Sequence, residues 1–280
     1  MTTLSASPRT TTATTPRRRS RLGRIASLAR SEVKLLTRNS TILATALLLG
    51  PAMALIMSQL SAMQGPLDER FSAVAVNLLI TWCVLMAVYY NLTSILVARR
   101  EEGVLKRMTT GEISPWDAIV AAAIPSVGVF LVQVVLGTAL VLAVIGVPAL
   151  PNPLLIVIGM LGAAVVCVLL SAVSTSFTTS VEAAQYSTMP IFLALIFLSG
   201  TSFSLATMPE ALQTIASFTP LNAVGELVSL GATGTTLLGD ATEGFLGTSA
   251  FAIRPLLVLA AWIGFAWMLA RRSMRFEPRR

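Results

Sequence analysis

The 280-residue chain has no histidine, which removes the commonest general base and the commonest biological metal ligand. An intramembrane enzyme would need a nucleophile with a base, or two facing carboxylates. The long apolar stretches show no such pair, with Asp117 at the very start of one and Glu182 just outside another near a membrane edge, so catalysis within the chain is not expected. Lysine is nearly missing too. Lys34 and Lys106 are the only two, and neither sits in a Gly-x-x-x-x-Gly-Lys-Ser/Thr loop that cradles nucleotide phosphates, so the chain does not hydrolyse ATP by itself. Cys83 and Cys167 both fall inside apolar runs, where they read as small buried apolar residues and not as a disulfide framework. Strands alternating between polar and apolar with aromatic girdles are absent, which argues against a β-barrel.

Apolar residues make up 55% of the chain against 12% charged, the balance of a polytopic membrane protein, and the mean hydropathy is +0.79. Crossing about 30 Å of hydrocarbon takes about 20 helical residues. Six stretches qualify, at about 41–60, 71–98, 117–147, 153–174, 186–206 and 255–272. The second and third exceed what a span needs and predict tilt or helical extension beyond the bilayer. The expected fold is an all-α membrane protein with six transmembrane helices.

Positive charge sets the orientation. Eighteen of the 20 basic residues precede the first span, lie between spans two and three, or follow span six; only Arg70 and Arg254 fall on the other side. Both termini are therefore expected in the cytoplasm. The net charge of +7 follows from this topology and does not call for a nucleic-acid partner. Arginine outnumbers lysine 18 to 2, a compositional hint of a GC-rich bacterial genome only.

Residues 1–20 read as a disordered basic tail. Arg18-Arg19-Ser20-Arg21-Leu22 only faintly resembles an export signal, because charged residues through Arg38 separate it from a full-length span. Over 21–38, Leu22, Ile25, Ala29, Val33 and Leu36 recur at helical spacing beside a basic stripe of Arg30, Lys34 and Arg38. This pattern predicts an amphipathic helix at the membrane surface, in contact with anionic lipids. The six-span unit occupies 39–275, and a short tail follows over 276–280.

Between spans two and three lies a compact charged segment, Arg99-Arg100-Glu101-Glu102-Gly103-Val104-Leu105-Lys106-Arg107-Met108. Each such charge costs roughly 2.5–3.5 kcal/mol at mid-bilayer, so the segment must emerge into water. Glu102 and Lys106 stand in the favourable i,i+4 order, Val104, Leu105 and Met108 form an apolar edge, and Gly111 can end the helix. Ser114-Pro115-Trp116-Asp117 then opens the next helix. The mixed charges suit contact with a protein, which makes the segment a handle by which another protein moves this one. Topology alone needs only the basic residues and leaves the paired glutamates unexplained.

Pro51, Pro125 and Pro190 fall within spans and predict kinks; Gly159 and Ala163 form a small-xxx-small pair suited to close helix packing. Residues 175–182 form a tight turn in which Glu182 reaches interfacial water. About fifty residues separate spans five and six, too many for a simple connection. Pro209 to Ala216 read as a short amphipathic helix, and Leu221 to Leu230 as a second apolar run before a Gly/Thr-rich stretch through Gly247. These pieces either re-enter the outer leaflet or cap a cavity, since irregular backbone at membrane depth needs shielding.

Three features then carry a resemblance to the permease subunits of type-2 ABC exporters, especially the actinobacterial drug-resistance branch. Arg100-Glu101-Glu102-Gly103-Val104-Leu105-Lys106-Arg107-Met108 stands where that family has its charged run, Leu198-Ser199-Gly200 ends the fifth span, and Met208-Pro209 through Pro220-Leu221 keep the spacing of its outer re-entrant helices. The resemblance runs from about 22 to 275. This chain departs from the pattern at Ser204, at Thr109-Thr110-Gly111-Glu112 and at Ala122-Ala123, which bears on subgroup and coupling detail.

The resemblance implies a drug, antibiotic or lipid-like exporter driven by a separate cytoplasmic ATPase in two copies, which carries the ATP and magnesium. This chain itself would hold no cofactor. A second permease chain, identical or not, would complete the pathway. The charged segment would be the coupling helix, with Arg100, Glu101, Glu102, Gly103, Leu105, Lys106, Arg107 and Met108 seated on the ATPase. The route would follow spans one, two and five, with Asn77, Trp82, Tyr90, Asn91, Phe197 and Phe203 as pathway candidates; each could equally be packing glue. Gln133 reads as packing within the subunit. Two alternatives stay open: a polysaccharide or glycolipid exporter, and a proton-coupled secondary multidrug transporter. Against the second stand the lack of internal repeats and of mid-membrane charges.

Overall fold

The computed structural model describes residues 69–101, 115–144, 146–242 and 244–273, with scattered positions between 23 and 59. The scattered positions are helical; among them Leu47, in the first expected span, packs against the main core. The coupling segment beyond Glu101, Ser114 and both terminal tails lie outside the described residues.

The helices are α1 (Glu69–Cys83), a π-helical stretch (Val84–Tyr90), α2 (Asn91–Glu101), α3 (Pro115–Val144), α4 (Pro153–Phe177), α5 (Val181–Phe197), α6 (Glu210–Ser217), α7 (Pro220–Thr233) and α8 (Gly244–Ser273). A 3-10 turn, Leu205–Thr207, precedes α6. Phe71–Glu101 runs as one helical rod of 31 residues. That rod, α3, α4 and α8 are long and apolar enough to cross a membrane; α5, with 17 residues, is shorter.

Expected boundaries move in several helices. The third long helix stops at Val144, where Gly146 turns the chain at φ 115. The fourth extends three residues further, to Phe177. The fifth helix spans 181–197 and not 186–206: Ser180 caps its start by accepting from the Ala183 amide at 3.1 Å, and Gly200 at φ 73 turns the chain just past its end. The last helix begins at Gly244, eleven residues before the expected start. Thr248 and Ser249 return their hydroxyls to the carbonyls of Gly244 and Phe245, so polar residues that read as loop are absorbed into helix.

α7 is the hub. Pro220 opens it in the first turn and Gly234, at φ 72, closes it, its backbone N–H donating to Leu230 O at 3.1 Å. Its 14 residues reach about 21 Å, too short to cross the hydrocarbon. It packs on α1, α4 and α8, with Leu221, Leu227 and Leu230 fully buried. Truncating any one of these to alanine would cost about 2–5 kcal/mol.

Small residues let α7 approach α4 closely. A Cβ on Gly159 would lie 3.3 Å from Leu227 Cβ, and Ala163, one turn on, is fully buried. This small pair therefore packs inside the chain. On the α7 side, a Cβ on Gly231 would meet Asn152 O at 2.8 Å. There the backbones join directly, through Leu150 N to Ala232 O and Asn152 N to Gly231 O. Outward faces are apolar as well: Val120, Ile124, Val135 and Leu136 on α3 and Leu154, Val157, Leu161 and Val165 on α4 are exposed at helical spacing. Such stripes suit lipid and would be costly in water.

Candidate functional site

A cleft of about 560 Å³ opens between α1, the turn after α5 and the chain just beyond α7; its walls include Asn77, Thr201, Phe203, Ser229 and Thr235. Buried polar contacts hold these walls. Asn77 Nδ2 donates to Gly225 O at 2.9 Å, and Asn222 Nδ2 donates to Ser199 O at 3.3 Å. Ser199 and Thr201 share a hydroxyl contact of 2.8 Å, and Thr201 reaches Thr81 at 3.4 Å. Gly225 makes this closeness possible, because a Cβ there would lie 3.1 Å from Thr201 Cγ2 and 3.3 Å from Ser199 O. Each bond spares a polar group the penalty of burial without a partner. Asn77 Oδ1, also buried, has no partner among the described residues.

The six pathway candidates do not form one cluster. Asn77 and Phe203 both line the cleft, and Phe203 stacks at a tilt on Phe197 with ring centroids 4.6 Å apart; both rings are half exposed. Trp82 lies edge-on to Phe192, centroids 6.0 Å apart, and its buried Nε1 has no partner among the described residues. Tyr90 and Asn91 stand further along the same rod, roughly 20 Å from Asn77 at 1.5 Å per residue. There Asn91 Nδ2 approaches Ser126 Oγ at 3.5 Å. Gln133 is buried in α3.

Between Trp82 and Asn91 the rod widens into the π-helical stretch Val84–Tyr90. The wider register rotates everything beyond it relative to a straight α-helix, and such segments often mark functional positions. Thr93 and Ser94 return their hydroxyls to Tyr89 O and Tyr90 O, at 2.7 and 3.1 Å.

At the charged end, Arg100 is buried at 3% exposure and its guanidinium turns inward. It donates to the carbonyls of Thr175, Thr178 and Thr179, where α4 ends. Cationic donors suit a helix C-terminus, where carbonyls lack intrahelical partners and the dipole is negative. Thr178 also shares a hydroxyl contact of 2.8 Å with Ser187 on α5. Arg100 thus ties the rod to the α4–α5 turn. Glu101 is exposed at the tip. Glu102, Gly103, Leu105, Lys106, Arg107 and Met108 lie outside the described residues.

Glu226 and Arg254 enter neither expected set, yet the fold brings them to one second cleft. Glu226 Oε2 accepts from the Leu237 amide at 3.0 Å, and Arg254 donates to Ser217 Oγ at 2.7 Å. No local motif marks them, since they lie on different helices. The available signal was an acid inside an apolar run and an arginine on the side poor in positive charge.

The family described as ABC-2 type transporter matches residues 24–231, about three-quarters of the chain. No curated protein matches it.

Proposed function

The chain belongs to the ABC-2 type transporter family, whose membrane domain is a permease component and not an ATPase, and from that premise we propose that it exports an amphipathic or hydrophobic substrate. Membership of the family implies an ABC ATPase partner. On our reading six spans cross a bacterial cytoplasmic membrane with both termini inside, and two permease chains enclose the pathway. Two ATPase subunits seat the coupling helices, residues 99–111. The substrate is a drug, an antibiotic or a lipid-like molecule, and we read the chain as of the actinobacterial drug-resistance type.

The observation that carries this reading is the 31-residue rod with a differently built end at each extremity. Near one end Asn77 lines the cleft; at the other Arg100 grips the α4–α5 turn, and the chain passes directly into the charged segment. When nucleotide draws the ATPases together, the charged segments move. Arg100 passes that displacement to the rod and to α4 and α5 as one body, since rigid helices transmit displacement from end to end. The displacement so reaches the cleft walls, among them Asn77 on α1 and Thr201 in the turn after α5. The half-exposed Phe197–Phe203 pair offers apolar contact to an amphipathic substrate.

The test is co-purification of the permease with its candidate ATPase, followed by ATP turnover with Glu102→Arg beside the wild type. The reading requires a stable complex and detachment or uncoupling by the charge reversal. Absence of any associated ATPase, or a reversal that alters neither binding nor export, would overturn it.

A further inference from the structure

We propose that the cleft between α7 and α8 binds the zwitterionic amine–phosphate headgroup of a phospholipid. The cleft, about 470 Å³, is lined by Ser217, Glu226, Asp240, Phe251 and Arg254 among others. That volume falls within the roughly 300–1,000 Å³ typical of small-molecule sites.

Its charges are arranged in two kinds. Glu226, half-buried on α7, is held in place by the Leu237 amide at 3.0 Å. Asp240 stands on the exposed rim, where a reciprocal set of bonds with Thr236 fixes the loop: Thr236 N to Asp240 O at 2.9 Å, Asp240 N to Thr236 Oγ1 at 2.9 Å, and Thr236 Oγ1 to Asp240 Oδ2 at 3.3 Å. Arg254, which lines the same cleft, lies 5.7 Å from the centroid of the Phe218 ring and donates to Ser217 Oγ. A guanidinium has five N–H donors, so this arrangement leaves several for an anion.

The mixture selects its ligand by what it repels. A simple anion meets two carboxylates, and a simple cation meets Arg254. A zwitterion places its ammonium by Glu226 and Asp240 and its phosphate by Arg254 and Ser217, and so satisfies both. Asn222 and Thr236 also line the cleft, and the remaining wall is apolar. Leu238 and Phe251 are half exposed, as is Phe218 beside Arg254, so apolar surface continues from the cleft outward, where acyl chains would lie. Arg254 also directly precedes the apolar run from Pro255 that follows on α8. An arginine at that position reads as headgroup depth, on the side where few other positive charges occur.

This site does not rest on the coupling mechanism, so binding can fail while ATP-driven export stands, and the reverse. The test is native mass spectrometry of the detergent-purified full chain against three probes of matched chain length. These are phosphatidylethanolamine, phosphatidylglycerol, which keeps the phosphate and lacks the amine, and an alkylamine, which has the amine alone. We expect phosphatidylethanolamine to be retained about tenfold more than either, the difference one charge-assisted hydrogen bond makes. Glu226→Gln and Arg254→Gln should each reduce that retention to the level of the corresponding single-charge probe. Asp240→Asn, on the exposed rim, serves where Glu226→Gln fails to fold, and should weaken phosphatidylethanolamine alone. Equal retention of phosphatidylethanolamine and phosphatidylglycerol overturns the proposal, as does stronger retention of the alkylamine. Unchanged retention in the folded variants overturns it too.

Discussion

Arg100 donates from the end of α2 to the carbonyl of Thr175, 75 residues away at the end of α4. The side chain that opens the charged segment is therefore spent inside the permease. A buried guanidinium is costly unless its donors are satisfied, and here three carbonyls of one helix terminus accept them.

Replacing that guanidinium removes the donor from two buried contacts, with the Thr175 and Thr178 carbonyls, and from a part-buried one with the Thr179 carbonyl. Arg100→Gln should lower stability by about 2–4 kcal/mol, and Arg100→Lys should recover only part, since a single ammonium cannot span three acceptors. Thermal unfolding of the purified permease reads the first effect. The coupling role predicts a second: folded Arg100→Lys turns over ATP with its partner at a near-normal rate but exports less substrate per ATP. An unchanged transport-to-ATP ratio would confine Arg100 to a structural role.

Glycines on α7 and α8 should respond oppositely to the same change. In Gly231→Ala the new Cβ would lie 2.7 Å from Ile156 Cγ1 and 2.8 Å from Asn152 O, so α7 and α4 must separate. A loss of about 1–3 kcal/mol is expected. In Gly264→Ala nothing lies within 4 Å, and the mid-helix position should be neutral or gain up to about 1 kcal/mol. Equal thermal midpoints for the two variants would contradict the close α4–α7 approach.

The Phe197–Phe203 pair is half exposed, and Phe203 lines the larger cleft. Phe203→Ala should therefore weaken an amphipathic substrate by about 1–2 kcal/mol, roughly a five- to thirty-fold rise in the concentration that half-saturates stimulated ATP turnover. The thermal midpoint should move little. A stability loss with unaltered substrate response would place the pair in packing alone.

Burial raises the Glu226 carboxyl above its ordinary value, aided by Asp240, while the Leu237 amide and Arg254 pull it back. An acid with a raised folded value holds its proton more tightly in the fold than in the unfolded chain. Its contribution is thus complete below the ordinary carboxylate range, and is lost as pH rises through the folded value. The thermal midpoint should decline over that window in the wild type, and this component should vanish in Glu226→Gln. Parallel profiles for the two proteins would remove Glu226 as the source.

Much of the fold was legible because the length of an apolar run and the spacing of its polar residues act locally. The helices near 71–98, 117–147 and 153–174 follow from uninterrupted hydropathy, and the pieces at 209–216 and 221–230 from prolines that open them. Boundaries failed where polar residues found intrahelical partners, as Thr248 and Ser249 do at the start of α8. The π-helical stretch left no mark, because Val84 to Tyr90 have the composition of any apolar helix. The candidate site was legible only in part. Asn77 and Phe203 share the cleft, whereas Trp82, Tyr90 and Asn91 occupy other levels of the rod.

The sequence by itself determined that this is a helical membrane protein with no histidine and no Gly-x-x-x-x-Gly-Lys-Ser/Thr loop, since segment length, charge and missing residue types need no knowledge of neighbours. Tertiary structure decided that Arg100 faces inward, that Asn77 meets Gly225 across 148 residues, and that Glu226 and Arg254 share a cleft. In a helix apolar on every side, hydropathy cannot separate the face that meets lipid from the face that meets protein. Only packing makes that choice, through the few polar groups that must find partners and the small residues that let backbones draw close.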